Sequence, residues 1–528
     1  MSDSENHLDL YEDSGRSRNS SKITQEQLQS YDIEELMQKA GGFGCMQWLL
    51  LLYVLICGEG INIFAFTFAY LELVPKVLWQ YSQGQGFVEW ENYKDIWVEG
   101  KVYQWKVDYD DQYSFHNWMT DQNFYCRNDI MLGMFGSIYF IGLGWMGFLL
   151  KLSDKFGRQK MLVYGCIFQV IVIASLLLSK DYRAYYVLLF FSGLSFSKDI
   201  LLYIYIIELV PQKYQVYMGA YSFTLHSCLV VLIVDFYFFM GGKHWEYAYL
   251  PALITMSVST ILSLFIPESP RYLYSKNDWF KLKKNLNYIA TVNGRTTFRD
   301  TRDSKKLLLT NEESKFDNRF LINENNTTNI DSCKNEENYS ILRTLMDRVV
   351  LSNFAILLAL FSAGSFNFHM LGFYLKYAGG DIYVNTLCSA LSDLVGCFWI
   401  SFVQKLFGTK TSVSSWFMLA GISAAPLMFL TNKYLLAIWV FLARLFWCGA
   451  FSLVFFVVPE FFDPLFVPFG FSIASFVSRV ITMGAPQVVE IKPKQVPIFV
   501  FLCLCMISTF SSLFLVKKTN NHVRLVNS

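Results

Sequence analysis

The stretch "KLSDKFGRQK", residues 151–160, packs Lys151, Asp154, Lys155, Arg158 and Lys160 into ten positions. The twenty residues before it (131–150) contain no charge, and neither do the nineteen after it (161–179). An apolar run of about twenty residues is the length of a helix that crosses the hydrocarbon of a bilayer. A short turn between two such runs, with four of its five charges positive, marks the cytoplasmic side of a membrane.

The same pattern recurs along the chain. Twelve apolar segments stand at roughly 45–70, 131–150, 161–179, 184–207, 217–240, 248–266, 350–371, 383–404, 413–430, 434–457, 468–488 and 496–516. Of the 528 residues, 53% are hydrophobic and 18% aromatic, more apolar surface than a soluble protein needs. The segments are too long and too uniformly apolar for barrel strands, which alternate over about ten residues. The sequence therefore predicts an all-α membrane protein. The net charge of +1 does not point to a partner, because the charges are segregated in loops.

Twelve crossings and a cytoplasmic 151–160 turn put both termini in the cytoplasm and the long 72–130 loop on the opposite face. That loop carries ten acids against five bases, in keeping with that side. Residues 1–40 are polar and acidic, unlike a secretory signal or a basic mitochondrial presequence. Of eleven cysteines only Cys126 falls in the 72–130 loop, so no disulfide is expected within it. The expected division is a cytoplasmic segment 1–43, a six-helix bundle 44–266, a cytoplasmic linker 267–349, a second six-helix bundle 350–516 and a tail 517–528. The linker includes "NENNTTNIDSCKNEENYS" (323–340), too polar to build a core by itself.

The halves echo each other. "DKFGRQK" (154–160) is answered by "KLFGTK" (405–410), and "IIELVP" (206–211) by "VVPEFF" (457–462). The separations agree: 208 − 157 = 51 positions from Gly157 to Glu208, and 460 − 408 = 52 from Gly408 to Glu460. Parallel repeats of six helices predict two bundles around a central pathway, with a binding site between them near the midplane.

"DKFGRQK" resembles the loop signature of the major facilitator superfamily between helices two and three. "PESPRYL" (267–273) resembles the motif that sugar porters and organic-ion transporters share after helix six. "GGFGCMQW" (41–48), "IELVPQKY" (207–214), "GGDIYVN" (379–385) and "FYCRNDI" (124–130) are similar to motifs of the organic cation/anion transporters, solute carrier family 22. The resemblance runs from about residue 30 to 517. It implies the major facilitator fold, with Asp154, Gly157, Arg158, Glu208, Glu460, Glu268 and Arg271 as gating residues at the cytoplasmic face. This chain departs from the pattern at Leu150, Gln215, Lys405, Thr409 and Val467, where the family usually has Gly, Arg, Asp, Arg and Arg. The losses fall mostly in the latch of the second half.

Ionisable groups inside a membrane are costly and are functional candidates by default. Here they are Glu59, Lys198, Asp199, Asp235, Asp393, Arg444 and Arg479. Lys198 and Asp199 are adjacent and project about 100° apart on a helix, so one can face the pathway while the other meets a neighbouring helix. Asp235, near a helix end, is expected to meet water. Arg444 suits an interhelical ion pair or a substrate contact. Arg479 stands seven residues before Pro486; in the resembling family an Arg at this place accompanies organic-anion carriage. Its planar fork of donors matches a carboxylate or sulfate. The expected alternatives for Arg479 are a buried pair with Asp393 or Glu59. Tyr205 offers a ring for an amphiphilic substrate, and His226 and His369 read as hydrogen-bonded filler.

The substrate-binding candidates are thus Arg479, Asp393, Glu59, Lys198 and Tyr205. No HExxH, CxxC, Walker or GxSxG pattern occurs, so neither an enzyme nor a resident metal or cofactor is expected, and nothing signals nucleic acid. The expected partners are a small organic ion and the lipid bilayer, with no oligomeric state implied. The expected function is transport of small organic ions, anions preferred, by alternating access. The alternatives are a transporter-like receptor or structural subunit without transport, and a sugar-porter-like carrier of neutral solutes. The expected location is the plasma membrane, with an internal membrane as the alternative.

Overall fold

The computed structural model describes residues 33–66, 68–80, 88–89, 104–122, 124, 129–145, 152–295, 347–430, 432–462, 467–493 and 495–516. Cys126, the 323–340 segment and the side chains of Glu59 and His226 lie outside the described residues. Among the described residues twelve helices form the body: α1 Cys45–Phe66, α2 Asp129–Gly144, α3 Arg158–Leu178, α4 Tyr182–Glu208, α5 Gln212–Phe239, α6 Trp245–Ser263, α7 Arg348–Tyr374, α8 Ile382–Phe407, α9 Thr409–Ala424, α10 Lys433–Phe461, α11 Val467–Thr482 and α12 Val496–Leu513. Among the described residues, α3, α4, α7, α12 and the Lys433–Phe455 part of α10 are long and apolar enough to cross a membrane.

The packing repeats with an offset of six helices. In the first set α1 packs on α5 and α6, α2 on α4, and α3 on α4 and α6. In the second α7 packs on α11 and α12, α8 on α10, and α9 on α10 and α12. The two sets meet through α5 against α8 and α2 against α11, contacts that exchange under the same offset. This is the two-bundle architecture that the paired motifs predict. We call the end carrying residues 152–157 the basic end and the end carrying the loop after α1 the cap end.

The repeat extends to backbone angles. Gly157 precedes α3 with φ 106°, ψ 152°, and Gly408 precedes α9 with φ 75°, ψ 159°. This region of the map is open essentially to glycine alone. At Gly157 there is a second demand, because an added Cβ would collide with the Glu268 carboxylate.

One feature of the cap end departs from the expected all-helical chain. Val77–Gln80 (β1), Val88–Glu89 (β2) and Gln104–Val107 (β3) form an antiparallel sheet in the order β2-β1-β3, with Trp79 opposite Trp105. β-Branched and aromatic residues favour such strands. They are too short to register as a period against the apolar runs. The same loop is tied to the turn before α6, where the His116 N–H donates to the Lys243 carbonyl at 2.7 Å.

Candidate substrate site and its gates

Two arginines face the space between the bundles, in different electrostatic situations. Arg444 of α10 is buried and forms a two-pronged pair with Asp393 of α8, Nε to Oδ1 at 2.9 Å and Nη2 to Oδ2 at 3.0 Å. Its Nη1 donates to the Phe368 carbonyl at 2.6 Å, and its guanidinium lies 3.9 Å from the centre of the Phe368 ring. Asp393 and Arg444, together with His369, Thr386 and Val231, line a cavity between α5, α7, α8 and α10.

Arg479 stands differently. Its Nη1 donates to Ser365 Oγ at 3.0 Å and lies 3.4 Å from His369 Nε2, while its Nε is sealed from solvent without a partner. Among the described residues no carboxylate forms an ion pair with it; Asp199 and Tyr139 of the opposite bundle act on it electrostatically. The expected buried pair of Arg479 with Asp393 is not formed, because Arg444 occupies both Asp393 oxygens, and the side chain of the other expected partner, Glu59, lies outside the described residues. Ser365 is fixed in turn by Thr482, whose hydroxyl donates to it at 2.8 Å. Arg479 lies in the last turn of α11, where the helix dipole favours a cation. There the segment expected to run unbroken over 468–488 breaks before a second short helix, Ala485–Val489. Pro486, at the start of that piece, has no N–H to continue the ladder. The Met483 carbonyl at the break accepts instead from Ser137 of α2 at 2.8 Å.

The remaining substrate candidates are dispersed. Lys198 turns into its own bundle, with Nζ 2.6 Å from Gln169 Oε1 and 3.8 Å from Met256 Sδ. Its neighbour Asp199 acts electrostatically on Arg479 of the opposite bundle. The Tyr205 hydroxyl donates to the Pro267 carbonyl, which groups it with the basic-end residues. His369 belongs to the Arg479 surroundings, and its ring lies 4.6 Å from that of Phe140 across the interface.

The gating candidates of the first bundle do come together. Arg158 Nη1 lies 2.5 Å from Asp154 Oδ1, and its Nη2 3.3 Å from Glu208 Oε1. Glu268 Oε1 accepts the N–H groups of Arg158 at 2.9 Å and Gln159 at 3.0 Å. A carboxylate thus caps the bare N-terminus of α3, which Gly157 cannot cap with a side chain. Arg271 pairs with Glu34, whose other oxygen accepts the Gln212 N–H at 2.8 Å. In the second bundle the Thr409 hydroxyl donates to Glu460, a hydrogen bond where the first bundle has an ion pair.

Hydrogen bonds that join the two bundles among the described residues lie towards the cap end. Asp235, expected in water, is buried and accepts from Tyr70 of its own bundle and from Thr386 of α8 at 2.5 Å. Lys376, just past α7, meets Glu72, just past Phe68–Leu71, at 2.7 Å and Glu490 at 2.7 Å. The basic-end contacts described above stay within one bundle.

Two halves that repeat with an offset of six helices, a broken helix eleven and a Gly-Arg turn capped by a distant Glu agree with one result. Residues 123–486 match the Major Facilitator Superfamily. The chain belongs to this family. Members of the superfamily are membrane transporters, not enzymes.

Among curated proteins the chain is similar to organic anion transporter 3 of Mus musculus, 25% identical over 415 residues that cover 76% of this chain and 72% of that one. It is similar to solute carrier family 22 member 6-B of Xenopus laevis, at 23% over 436 residues, 80% and 74% of the two chains. Solute carrier family 22 member 2 of Rattus norvegicus is 30% identical over a shorter stretch of 186 residues, 34% and 32%. Among solved structures, the inward open conformation of the xylose transporter XylE from E. coli superposes with a TM-score of 0.56 at 14% identity, over 90% of this chain and 96% of that one. The partially occluded inward open form gives 0.56 at 12%, over 89% and 97%. In this major facilitator fold, sequence reasoning missed Ser365 and Thr482, which position Arg479, and the Glu72–Lys376–Glu490 contact. Small hydroxyls in helices and charges at segment ends carry no periodic signal.

Proposed function

We propose that the protein carries organic anions across a membrane by alternating access of the central space to either face. The observation that carries the reading is Arg479, a cation facing the interface between bundles with no ion-pairing carboxylate among the described residues, beside Arg444, whose charge Asp393 already balances. A buried cation without an ion-paired counter-charge is costly. An anionic substrate supplies that counter-charge and makes charge-assisted bonds to the fork. Ser365 and His369 add neutral polar groups at the same place. Asp393, Lys198 and Tyr205 then serve the scaffold rather than the substrate.

The similarity to organic anion transporter 3 supports the substrate class, and the similarity to solute carrier family 22 member 2 keeps organic ions more widely in view. The bonds near the cap end, beside a basic end tied only within bundles, suit a carrier resting with its basic end the more open. By the positive charges of 151–160 that end faces the cytoplasm, in the plasma membrane. The Thr409–Glu460 bond keeps a tie at the second latch, which supports cycling over a static receptor role. Uptake of a labelled aromatic carboxylate, a labelled quaternary ammonium and a labelled neutral sugar into proteoliposomes tests the reading. It requires saturable carboxylate uptake above the other two; ammonium or sugar uptake alone refutes it.

A further inference from the structure

The contact between Glu72, Lys376 and Glu490 has an uneven charge count. Lys376 Nζ lies 2.7 Å from Glu72 Oε2 and 2.7 Å from Glu490 Oε1, and the side chains of Lys376, Glu72 and Glu490 are 1%, 1% and 6% exposed. Two carboxylates around one ammonium leave one negative charge in excess in a dry place. Both oxygens of Glu490 are engaged, Oε1 by Lys376 and Oε2 by the Tyr377 hydroxyl at 2.6 Å. Glu72 Oε1 is buried and has no partner. The atom with room for a proton is therefore on Glu72.

The position matters as much as the count. Glu72 follows α1 and Phe68–Leu71 of the first bundle, whereas Lys376, Tyr377 and Glu490 belong to the second. The cluster is sealed only while the bundles are closed at the cap end. Separating them there returns Glu72 to water. Beside Glu72 the neutral Asn117 side chain donates to the Tyr70 and Leu73 carbonyls.

We propose that the Glu72–Lys376–Glu490 cluster is a proton-binding site, and that the proton it takes up favours closure of the cap end. With Glu72 neutral, the Lys376–Glu490 pair is left balanced and closure costs no buried net charge. With Glu72 ionised, the excess charge is relieved by opening to solvent. The energetics agree in sign. Burial pushes the Glu72 carboxyl up to about 7 in the closed arrangement, opposed by Lys376 and reinforced by Glu490. A solvated glutamate titrates near about 4.3. Between these values the closed form binds more protons, so acid favours it, and this bias is lost as pH rises through about 7. Proton uptake on closing and release on opening give the transport cycle a place for proton coupling.

The test needs no substrate, so it stands apart from the organic-anion reading. Spin labels on unnatural amino acids at positions 180 and 433, exposed at the cap ends of the two bundles, report cap-end separation by double electron–electron resonance in the purified full chain. Acidification from pH 8 to pH 6 is expected to raise the closed-to-open ratio about tenfold. Glu72→Gln, neutral at every pH, is expected to stay closed and to flatten the response. Glu490→Gln leaves Lys376 with one carboxylate and is expected to move the midpoint to lower pH, which keeps the test decisive if Glu72→Gln folds poorly. A wild-type ratio that does not change with pH overturns the proposal. So does a response that persists unaltered in either variant, which would move the proton to Asp235.

Discussion

Arg444 holds both oxygens of Asp393, at 2.9 and 3.0 Å, and thereby leaves Arg479 the cation at the bundle interface that no described carboxylate pairs. One ion pair is structural and one guanidinium is kept for something else. Asp393→Asn is therefore expected to act on stability. Removing one partner of a buried pair typically costs about 3–5 kcal/mol, because the other charge is stranded. We expect a lower melting temperature and lower expression for Asp393→Asn. The double substitution Asp393→Asn with Arg444→Gln should recover much of the loss. A single variant that melts like the parent would contradict this.

Gly157 and Gly408 share a backbone conformation but not surroundings. Gly157→Ala forces strain of about 1–3 kcal/mol and also drives a methyl group into the Glu268 carboxylate. Gly408 has open space around it, so Gly408→Ala meets the strain alone. Thermal unfolding of the two variants should show the larger loss at Gly157. Equal losses would mean that the Glu268 contact contributes nothing.

Asp154→Asn removes one of the two carboxylates on Arg158 and leaves Glu208 and the Glu268 cap in place. Its effect should fall on the balance between conformations, not on substrate contact. We expect a reduced maximal rate of uptake with a half-saturating concentration within about twofold of the parent, a change too small to matter beside a tenfold factor. Unchanged turnover with weakened binding would contradict the assignment.

The extent of this that is legible in the sequence follows from length scale. Twelve apolar runs and the Gly157/Gly408 echo are patterns of about twenty and fifty residues, and they specify the bundles, the repeat and the capped turn at the basic end. The identity of each charge's partner is a different matter, because partners such as Asp393 and Arg444 are 51 residues apart and on different helices. A list of intramembrane charges gives Arg479 and Asp393 equal standing; only the packing shows that Arg444 neutralises Asp393. Lys198 and Asp199 show the same limit, since sequence fixes their divergence but not which one faces the interface. Glu72, Lys376 and Glu490 lie just outside apolar runs, where a charge reads as ordinary solvation, and only bundle closure buries them.

Arg479 decides the central claim. Uptake of a labelled aromatic carboxylate into proteoliposomes should be compared for the parent, Arg479→Lys and Arg479→Ala at matched protein incorporation. A charge-assisted contact of about 1.5–3 kcal/mol corresponds to about ten- to a hundredfold in affinity. The account expects Arg479→Ala to lose carboxylate uptake while melting close to the parent. It expects Arg479→Lys to restore uptake only in part, because an ammonium lacks the planar fork. Full carboxylate uptake by Arg479→Ala at normal expression would contradict the account.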